Sequence, residues 1–384
     1  MRQTLLVILV SIITLSGFAQ ISVRKVAGNT DLSGKQGLFY ALPSTYIKVE
    51  LKLQKIEYLA GPYAEYAAKY LDMDDVITSD YDEYAILDAM ISTVSVPDAD
   101  QVFFATMDDK VAKEGNAVLF SLTQSGLAYD LRGNLPEKPF ANMASLNIQS
   151  DAGNRDLFKY FAETNLYQQY DTIIRKVVVD TVTVEKIYLD QKWVEKTDEQ
   201  KAVEAANKIS QIRQARYNLI SGYQEIAYEA STVAYMDQQL QKLEKEYMTL
   251  FTGISLNKTF SYTFFVKPTE PNETVPVCVF SERSGIKAAD ASGGEKVQLV
   301  LESTGDFSAV QSVVNKRNSA NADNQGFYYR IPVMTHIKMA LSKDLKVDVV
   351  FPISQFGVVT YLPPSATSVQ FYESTGGVKS LLIK

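Results

Sequence analysis

Proline is missing from one third of the chain. No proline lies between Pro139 and Pro268, and the 128 residues between them contain only three glycines. Because proline and glycine interrupt regular structure, such a stretch favours long helices and strands. In its second half the apolar residues recur at spacings of three and four, whereas on both sides of it they recur at period two. The chain is therefore expected to place a helical segment between two β-rich segments.

Two helical patterns follow each other in that stretch. Thr197 stands three residues before Gln200, which is the spacing of a capping box, and Gly222 ends the first pattern. The second pattern ends at Gly253. The first stripe consists of Ala202, Ala205, Ile209, Ile212, Arg216 and Leu219, and the second of Val233, Met236, Leu240, Leu243, Tyr247 and Leu250. Two such helices joined by a short loop are expected to pair antiparallel.

The remaining segments alternate as half-buried antiparallel strands do. Ile47, Val49, Leu51 and Leu53 alternate with polar residues between Tyr46 and Lys55, and Phe260 to Val266 and Leu345 to Phe351 show the same period. The run from Ile173 to Leu189 predicts one long strand or a pair. Short strands are also predicted at Ala85–Met90, Gln101–Thr106 and Ala117–Leu122.

The predicted fold class is α+β, with two mainly antiparallel β-regions, sandwich-like or barrel-like, flanking a long antiparallel αα-hairpin. The predicted boundaries are a signal peptide over 1–19, a β-rich domain with a short helix over 20–195, the hairpin over 196–253 and a second β-rich domain over 254–384.

The N-terminus has the pattern of a secretory signal peptide. Arg2 precedes an apolar run from Leu5 to Leu15, and the small residues Gly17 and Ala19 precede an expected cleavage site before Gln20. The apolar run is too short to span a bilayer, which takes about 20 residues. We therefore expect an exported protein, in the periplasm or associated with the outer membrane, without a transmembrane segment after cleavage.

The scarce residues exclude several kinds of chemistry. The chain contains one His, one Cys and one Trp. It can therefore form neither a zinc site with two histidines nor a disulfide between two of its own cysteines. His336 lies in a strand-like run, and neither a nucleophile elbow nor a phosphate-binding glycine loop occurs. The net charge of −7 argues against a nucleic-acid partner. The sequence thus predicts no catalytic residue, no cofactor and no metal ligand.

An acidic segment that is interleaved with tyrosines supplies the candidate binding surface. It runs from Asp72 to Tyr84, and the residues selected from it are Asp80, Tyr81, Asp82 and Tyr84. Clustered carboxylates could hold Ca²⁺, although the spacing of an EF-hand loop is missing. The same residues could line a sugar-binding groove, or they could form a solvated surface turn.

Three short segments share one pattern: glycine, four residues, leucine or isoleucine, then proline. They begin at Gly37, Gly326 and Gly357 and read GLFYALP, GFYYRIP and GVVTYLP. Since proline lacks the amide hydrogen that a strand ladder needs, each proline is expected to end its strand. The repetition could mark two related β-domains or common strand punctuation.

The segments GLFYALP, GPYAEYAAKYL, VPDADQVFF, KAVEAANKISQIRQARYNLISG, EKEYMTLFTG, GFYYRIP and SQFGVVTYLP together resemble an uncharacterised secreted family of Bacteroidota, a domain of unknown function. The resemblance covers nearly the whole chain after residue 19. It implies an envelope location in a Gram-negative cell and no activity, cofactor or site residue.

The expected function is that of a non-enzymatic binding or assembly component of the cell envelope, with a protein or glycan partner. One alternative is a carbohydrate-active hydrolase with an Asp/Glu pair, which needs no histidine. Another is a subunit of an outer-membrane complex that docks through the helical hairpin.

Overall fold

The computed structural model describes residues 22–28, 30–35, 37–106, 149–150, 158–161, 166–179, 182–223, 228–320, 326–340, 346–363 and 366–383. The predicted signal peptide and the predicted strand Ala117–Leu122 lie outside these residues.

Strands outnumber helices in the described residues. The strands are β1 (Ser22–Lys25), β2 (Gly37–Leu59), β3 (Tyr81–Thr106), β4 (Gln149–Ser150), β5 (Leu166–Val179), β6 (Val182–Glu195), β7 (Ile254–Val266), β8 (Thr274–Ser281), β9 (Gly285–Lys287), β10 (Glu295–Ser303), β11 (Tyr328–Ala340), β12 (Lys346–Tyr361), β13 (Ala366–Phe371) and β14 (Val378–Ile383). The helices are α1 (Ala67–Leu71), α2 (Asp198–Ser221), α3 (Ala230–Thr252) and α4 (Ser308–Ala320).

Two open five-stranded sheets form the β part of the fold. The strand order is β1-β3-β2-β7-β4 in sheet I and β12-β11-β10-β8-β9 in sheet II. The pairs β5–β6 and β13–β14 form separate two-stranded sheets, and every pairing is antiparallel. The expectation of antiparallel β-regions is confirmed, and the sheets are open rather than closed into a barrel.

The main core lies between sheets I and II. Sheet I contributes Ile47, Val49, Leu51 and Leu53 of β2 with Ile91 and Phe264, and sheet II contributes Val277, Cys278, Val297, Leu299, Leu301, Ile337, Met339 and Ile353. The alternation that the sequence shows in β2 therefore puts one face of the strand into a sandwich-like core.

Strands from both sides of the hairpin meet in sheet I. β2 precedes the helices in the chain and β7 follows them, yet the two pair from Ile47 opposite Val266 to Leu59 opposite Ile254. The chain thus returns from the hairpin to sheet I at β7, directly beside β2. The two β-rich segments share one core, and the domain boundaries proposed from the sequence remain a prediction.

Helices α2 and α3 pack against each other antiparallel. Arg213 contacts Glu244 at 2.7 Å, and Arg216 contacts both Glu244 at 2.8 Å and Asp237 at 2.9 Å. The capping box is present: Thr197 N donates to Gln200 Oε1 at 2.9 Å, and Gln200 N donates to Thr197 Oγ1 at 3.2 Å. A second core forms where Ile209, Leu250 and Phe251 pack with Tyr63 and Ala67 of the segment that contains α1.

Of the three prolines that close the repeated segments, two lie within strands, contrary to the expectation that each would end one. β2 continues past Pro43, and β11 continues past Pro332. The register of each strand shifts at that point, between Ala41 and Pro43 and between Ile331 and Val333. A bulge removes the need for the missing amide hydrogen. The third proline, Pro363, does follow the end of its strand.

The three repeated segments converge at one end of the sandwich. Tyr328 N donates to the Tyr40 hydroxyl at 2.8 Å, and Tyr328 lies opposite Tyr361 in the register of β11 and β12. Gly357 makes the closest backbone approach, because a Cβ there would lie 1.7 Å from the carbonyl oxygen of Ile331. A side chain at this position would push β11 and β12 apart.

A buried ion pair crosses this end of the sandwich. Arg330 of β11 is 4% exposed and donates from Nη2 to Asp98 Oδ2 at 3.0 Å and from Nη1 to the Pro43 carbonyl oxygen at 2.6 Å. The pair links sheet II to both β2 and β3 of sheet I.

Candidate functional site

A cavity of about 750 Å³ lies at the far end of β2 and β3, where sheet I extends beyond the main core. Its lining residues are Ile56, Ser79, Tyr81, Asp82, Glu83, Tyr84, Ala85, Glu282 and Arg283. Three of the four residues that the sequence selected, Tyr81, Asp82 and Tyr84, are among them.

Cross-strand pairing places the site residues in register. Tyr58 lies opposite Tyr81, Glu57 opposite Asp82 and Lys55 opposite Tyr84. Since paired residues on antiparallel strands point to the same face, Lys55, Glu57, Asp82 and Tyr84 share one face, and Tyr58 and Tyr81 share the other. The edge of the sheet thus presents an aromatic side and a charged side.

The charged side is an ordered cluster. Lys55 Nζ lies 2.7 Å from Glu57 Oε1 and 3.0 Å from Asp82 Oδ2, and Lys258 Nζ of β7 lies 2.6 Å from Glu57 Oε2. Hydrogen bonds from Lys258 and Lys55 lower the pKa of Glu57. Desolvation by itself would lower the pKa of Lys55, but hydrogen bonds to Glu57 and Asp82 outweigh it and raise that pKa above its usual range. The cluster therefore holds its charges and fixes Asp82.

The aromatic side is a stacked pair. The rings of Tyr58 and Tyr81 have centroids 4.5 Å apart and an interplanar angle of 14°. Tyr81 remains 47% exposed. Stacking on Tyr58 limits the rotation of the Tyr81 ring, so the exposed ring forms a flat amphipathic surface beside the cavity.

The turn between β8 and β9 completes the cavity. Tyr84 N donates to the Glu282 carbonyl oxygen at 2.7 Å, which joins the turn to the edge of β3. Gly285 has a φ of +70°, and a Cβ there would lie 3.0 Å from the Tyr84 ring. Glycine thus permits the turn that brings Arg283 to the cavity. Glu282, Arg283 and Lys258 carry no local signal in the sequence that points to this site, because only the fold brings β7 and β8 to this edge.

Asp80 has a structural contact instead. Its Oδ1 accepts a hydrogen bond from Ala60 N at 2.7 Å, across the connection between β2 and β3. Asp80 does not line the cavity. The role of the four selected residues as a binding surface remains a prediction.

The side chains at this site can contact a ligand through an aromatic ring and through charged groups. Among the residues that the structure describes, no three His, Cys, Asp or Glu side chains lie together as metal ligands would. Tyr81 offers a ring face and Glu83, which shares that face of the sheet, offers acceptors, while Arg283 of the turn offers donors. Such a set can bind a ligand that has both apolar faces and hydroxyl groups.

The single histidine and the single cysteine lie outside the cavity. His336 of β11 has Nδ1 3.5 Å from Asp348 Oδ1, with both side chains more than one third exposed. Cys278 of β8 is buried in the main core, as its strand-like run predicts. Burial raises the pKa of its thiol to about 12, which keeps it protonated at neutral pH.

In the described part of the chain, no helix combines the length and the apolar composition that a bilayer crossing requires.

Comparison with known proteins identifies the family. No curated protein and no solved structure matches the chain. A family profile described as a domain of unknown function, DUF4831, matches residues 36–379. This range includes the cavity, the helical hairpin, sheet II and all of sheet I except β1. The chain therefore belongs to the DUF4831 family, a domain of unknown function.

Proposed function

We propose that this protein is an exported, non-enzymatic binding component of the cell envelope and that the cavity beside Tyr81 takes a glycan. The observation that carries the proposal is the Tyr58–Tyr81 stack, which presents an exposed ring at the rim of a cavity with carboxylates and a guanidinium. The proposed origin in Bacteroidota and the envelope location rest on the resemblance and on the signal-peptide pattern.

A sugar ring fits this combination better than a peptide or a small anion does. The C–H groups of a pyranose can lie flat on an aromatic ring, and its hydroxyls donate to carboxylates and accept from a guanidinium. An isolated anion would meet Asp82 and Glu83, whose charges oppose it. The Tyr81 ring, held by its stack on Tyr58, lowers the entropy cost of binding.

The test is a glycan array probed with the chain from residue 20 onward, followed by titration calorimetry with any glycan that binds. Tyr81→Ala should weaken binding by at least about tenfold, since the change removes the ring face. Tyr235→Ala is the matched control, because Tyr235 is 62% exposed on α3 and lies outside the cavity. Equal loss in both variants, or no loss in Tyr81→Ala, would contradict the cavity as the glycan site.

The same glycans also test the hydrolase alternative. Incubation with the protein should leave them intact, as measured by mass spectrometry of the products. Release of reducing ends that stops in Asp82→Asn or Glu83→Gln would replace the binding proposal with hydrolysis.

Export is tested in a Gram-negative host. We expect periplasmic protein whose first residue is Gln20, as measured by N-terminal sequencing of the fractionated protein. Full-length protein that keeps residues 1–19 in the cytosol would contradict the proposed location.

A second candidate function is assembly through the end of the helical hairpin. The apolar positions Met236 and Leu243 are half-buried, so the hairpin stripe is largely used within the molecule. Exposed large side chains instead collect where α2 ends and α3 begins: Tyr217 at 61%, Ile220 at 69%, Tyr223 at 79%, Tyr228 at 42% and Tyr235 at 62%. Tyrosine-rich surfaces are typical of protein interfaces, which favours a protein partner at this end.

A further inference from the structure

Strands β5 and β6 form a ribbon whose exposed face is the apolar one. The ribbon is a two-stranded sheet, and its strands pair from Leu166 opposite Glu195 to Val179 opposite Val182. Fourteen residues per strand give a length of roughly 45 Å. An isolated two-stranded hairpin is marginally stable in water, so a ribbon of this length gains from being covered.

The register separates the two faces. Six large side chains share one face, and all are exposed: Leu166 at 54%, Tyr170 at 57%, Ile174 at 56%, Ile187 at 68%, Leu189 at 68% and Trp193 at 63%. The opposite face includes the pair Asp171 and Asp190, together with Lys192, which lies 2.8 Å from Asp171. We refer to the six residues as the apolar stripe.

The face opposite the apolar stripe is the one that lies toward the helices. On that face Tyr167 and Asp171 are half-buried, and Tyr167 lines a cavity with Glu199 of α2. The same face also carries Val194, which is half-buried, and Ile173, which is 37% exposed. Among the described residues, the side chains of the apolar stripe are less covered than this face.

We propose that the apolar stripe is a homodimer interface and that it packs face to face on the same stripe of a second copy. With 54 to 68% of each side chain exposed, the stripe presents roughly 700 Å² of surface, since a large side chain offers about 150–250 Å². A standard interface buries about 800 Å² on each partner, whereas monomers rarely expose apolar patches above about 600 Å². The same stripe of a second copy therefore matches the area and the apolar character that this surface needs in a partner.

The charges favour an antiparallel two-fold arrangement. Glu195 lies on the same face as the stripe, at the end of the ribbon that adjoins α2. Within residues 166–174 and 189–195 it is the one charged residue that the register places on this face. An antiparallel pair keeps the two Glu195 carboxylates at opposite ends, while the pair Tyr170 and Gln191 lies in the middle of the five pairs that carry the stripe. Gln191 is therefore expected near the symmetry axis.

Sedimentation velocity of the chain from residue 20 onward tests the proposal. We expect a dimer at micromolar concentration, and Leu189→Asp should raise its dissociation constant by about 100-fold or more, because the charge enters a symmetric interface twice. Val313→Asp is the matched control, since Val313 is 65% exposed on α4, and it should leave the dimer unchanged. Tyr81→Ala should also leave it unchanged, which separates this test from glycan binding.

Cysteine cross-linking tests the geometry. Cys278 is buried, so an added cysteine is the accessible thiol. A bifunctional thiol reagent that spans about 10 Å, the distance between stacked sheets, should cross-link two copies of Gln191→Cys, while Lys192→Cys, on the opposite face, should give no cross-linked dimer. A monomer at all concentrations, a dimer insensitive to Leu189→Asp, or equal cross-linking at both positions would overturn the proposal. So would a monomer that binds phosphatidylglycerol vesicles through Leu189, which would assign the stripe to lipid.

Discussion

At the scale of single residues, the buried pair of Arg330 and Asp98 has the largest expected effect. Both side chains are nearly inaccessible, and the Nε atom of Arg330 has no hydrogen-bond partner. The pair is held by its own charges and by the Pro43 carbonyl. Removal of one partner leaves an uncompensated charge in a medium of low dielectric constant.

We therefore expect Asp98→Ala to lower the free energy of unfolding by about 3–5 kcal/mol, measured by urea denaturation. Glu302→Ala is the control, because Glu302 and Lys338 form a direct ion pair, 2.6 Å between Oε2 and Nζ, with about half of each side chain exposed. That change should cost at most about 1 kcal/mol. Equal losses in the two variants would show that Asp98 does not compensate a buried charge.

The sequence could not show that Arg330 is buried. Val333, Ile337 and Met339 of the same strand are buried at odd positions, so strict alternation would turn Arg330 toward solvent. At Pro332 the register shifts, with one residue of β11 against four of β12, and the buried positions of β11 change from even to odd numbers there. A bulge depends on the partner strand, which the local sequence does not specify.

At the scale of secondary structure elements, the hairpin depends on α2. Ile209 and Ile212 face the second core, and the capping box fixes the start of the helix. The helix signals are local: a cap, a 3.6-residue period and a terminal glycine all lie within one stretch of sequence. For this reason the start and end of α2 could be predicted from the sequence.

Ile212→Pro should destabilise the protein by about 3 kcal/mol or more, because proline removes a helix hydrogen bond and clashes with the preceding turn. Ile212→Leu keeps the apolar volume and should cost less than about 1.5 kcal/mol. Thermal unfolding followed by circular dichroism measures both. An unchanged melting temperature in Ile212→Pro would mean that α2 does not continue through residue 212.

Strands were harder to predict than helices. β3 runs for 26 residues from Tyr81 to Thr106, where the sequence predicted two separate short strands at Ala85–Met90 and Gln101–Thr106. Pro97 lies within β3 and faces Pro43 of β2 at the bulge. The prediction of two strands was wrong because a proline reads as a break when its partner strand is unknown. The run from Ile173 to Leu189, by contrast, belongs to a pair of strands, one of the two expected outcomes.

At the scale of the whole molecule, several acidic groups are buried in neutral form. Burial raises the pKa of Cys278 to about 12 from 9.0, and the pKa values of Tyr63 and Tyr328 to about 12 from 10.0. Burial also raises the pKa of Tyr40 well above its usual range. Each group ionises more readily in the unfolded chain, so the unfolded state binds fewer protons at alkaline pH.

These groups should therefore leave the free energy of unfolding unchanged below about pH 9. They should lower it as the pH rises from 9 toward 12. Urea denaturation at pH 8, 9.5 and 10.5 measures this slope. Cys278→Ala should reduce the decrease in the free energy of unfolding between pH 9 and 10, because the thiol of the unfolded chain ionises first. A stability that rises over this range would contradict the burial of these groups.

The sequence by itself determined the types of the elements: the period-two runs became strands, the capped stripes became helices, and the buried face of β2 followed from alternation within ten residues. These properties depend on neighbours a few residues apart. Only the tertiary structure decided that β7 pairs with β2, that Arg283 joins Tyr81 at one cavity and that the apolar face of the ribbon points outward. Pairing over about 200 residues depends on which faces meet in the folded chain, and no local pattern contains that information.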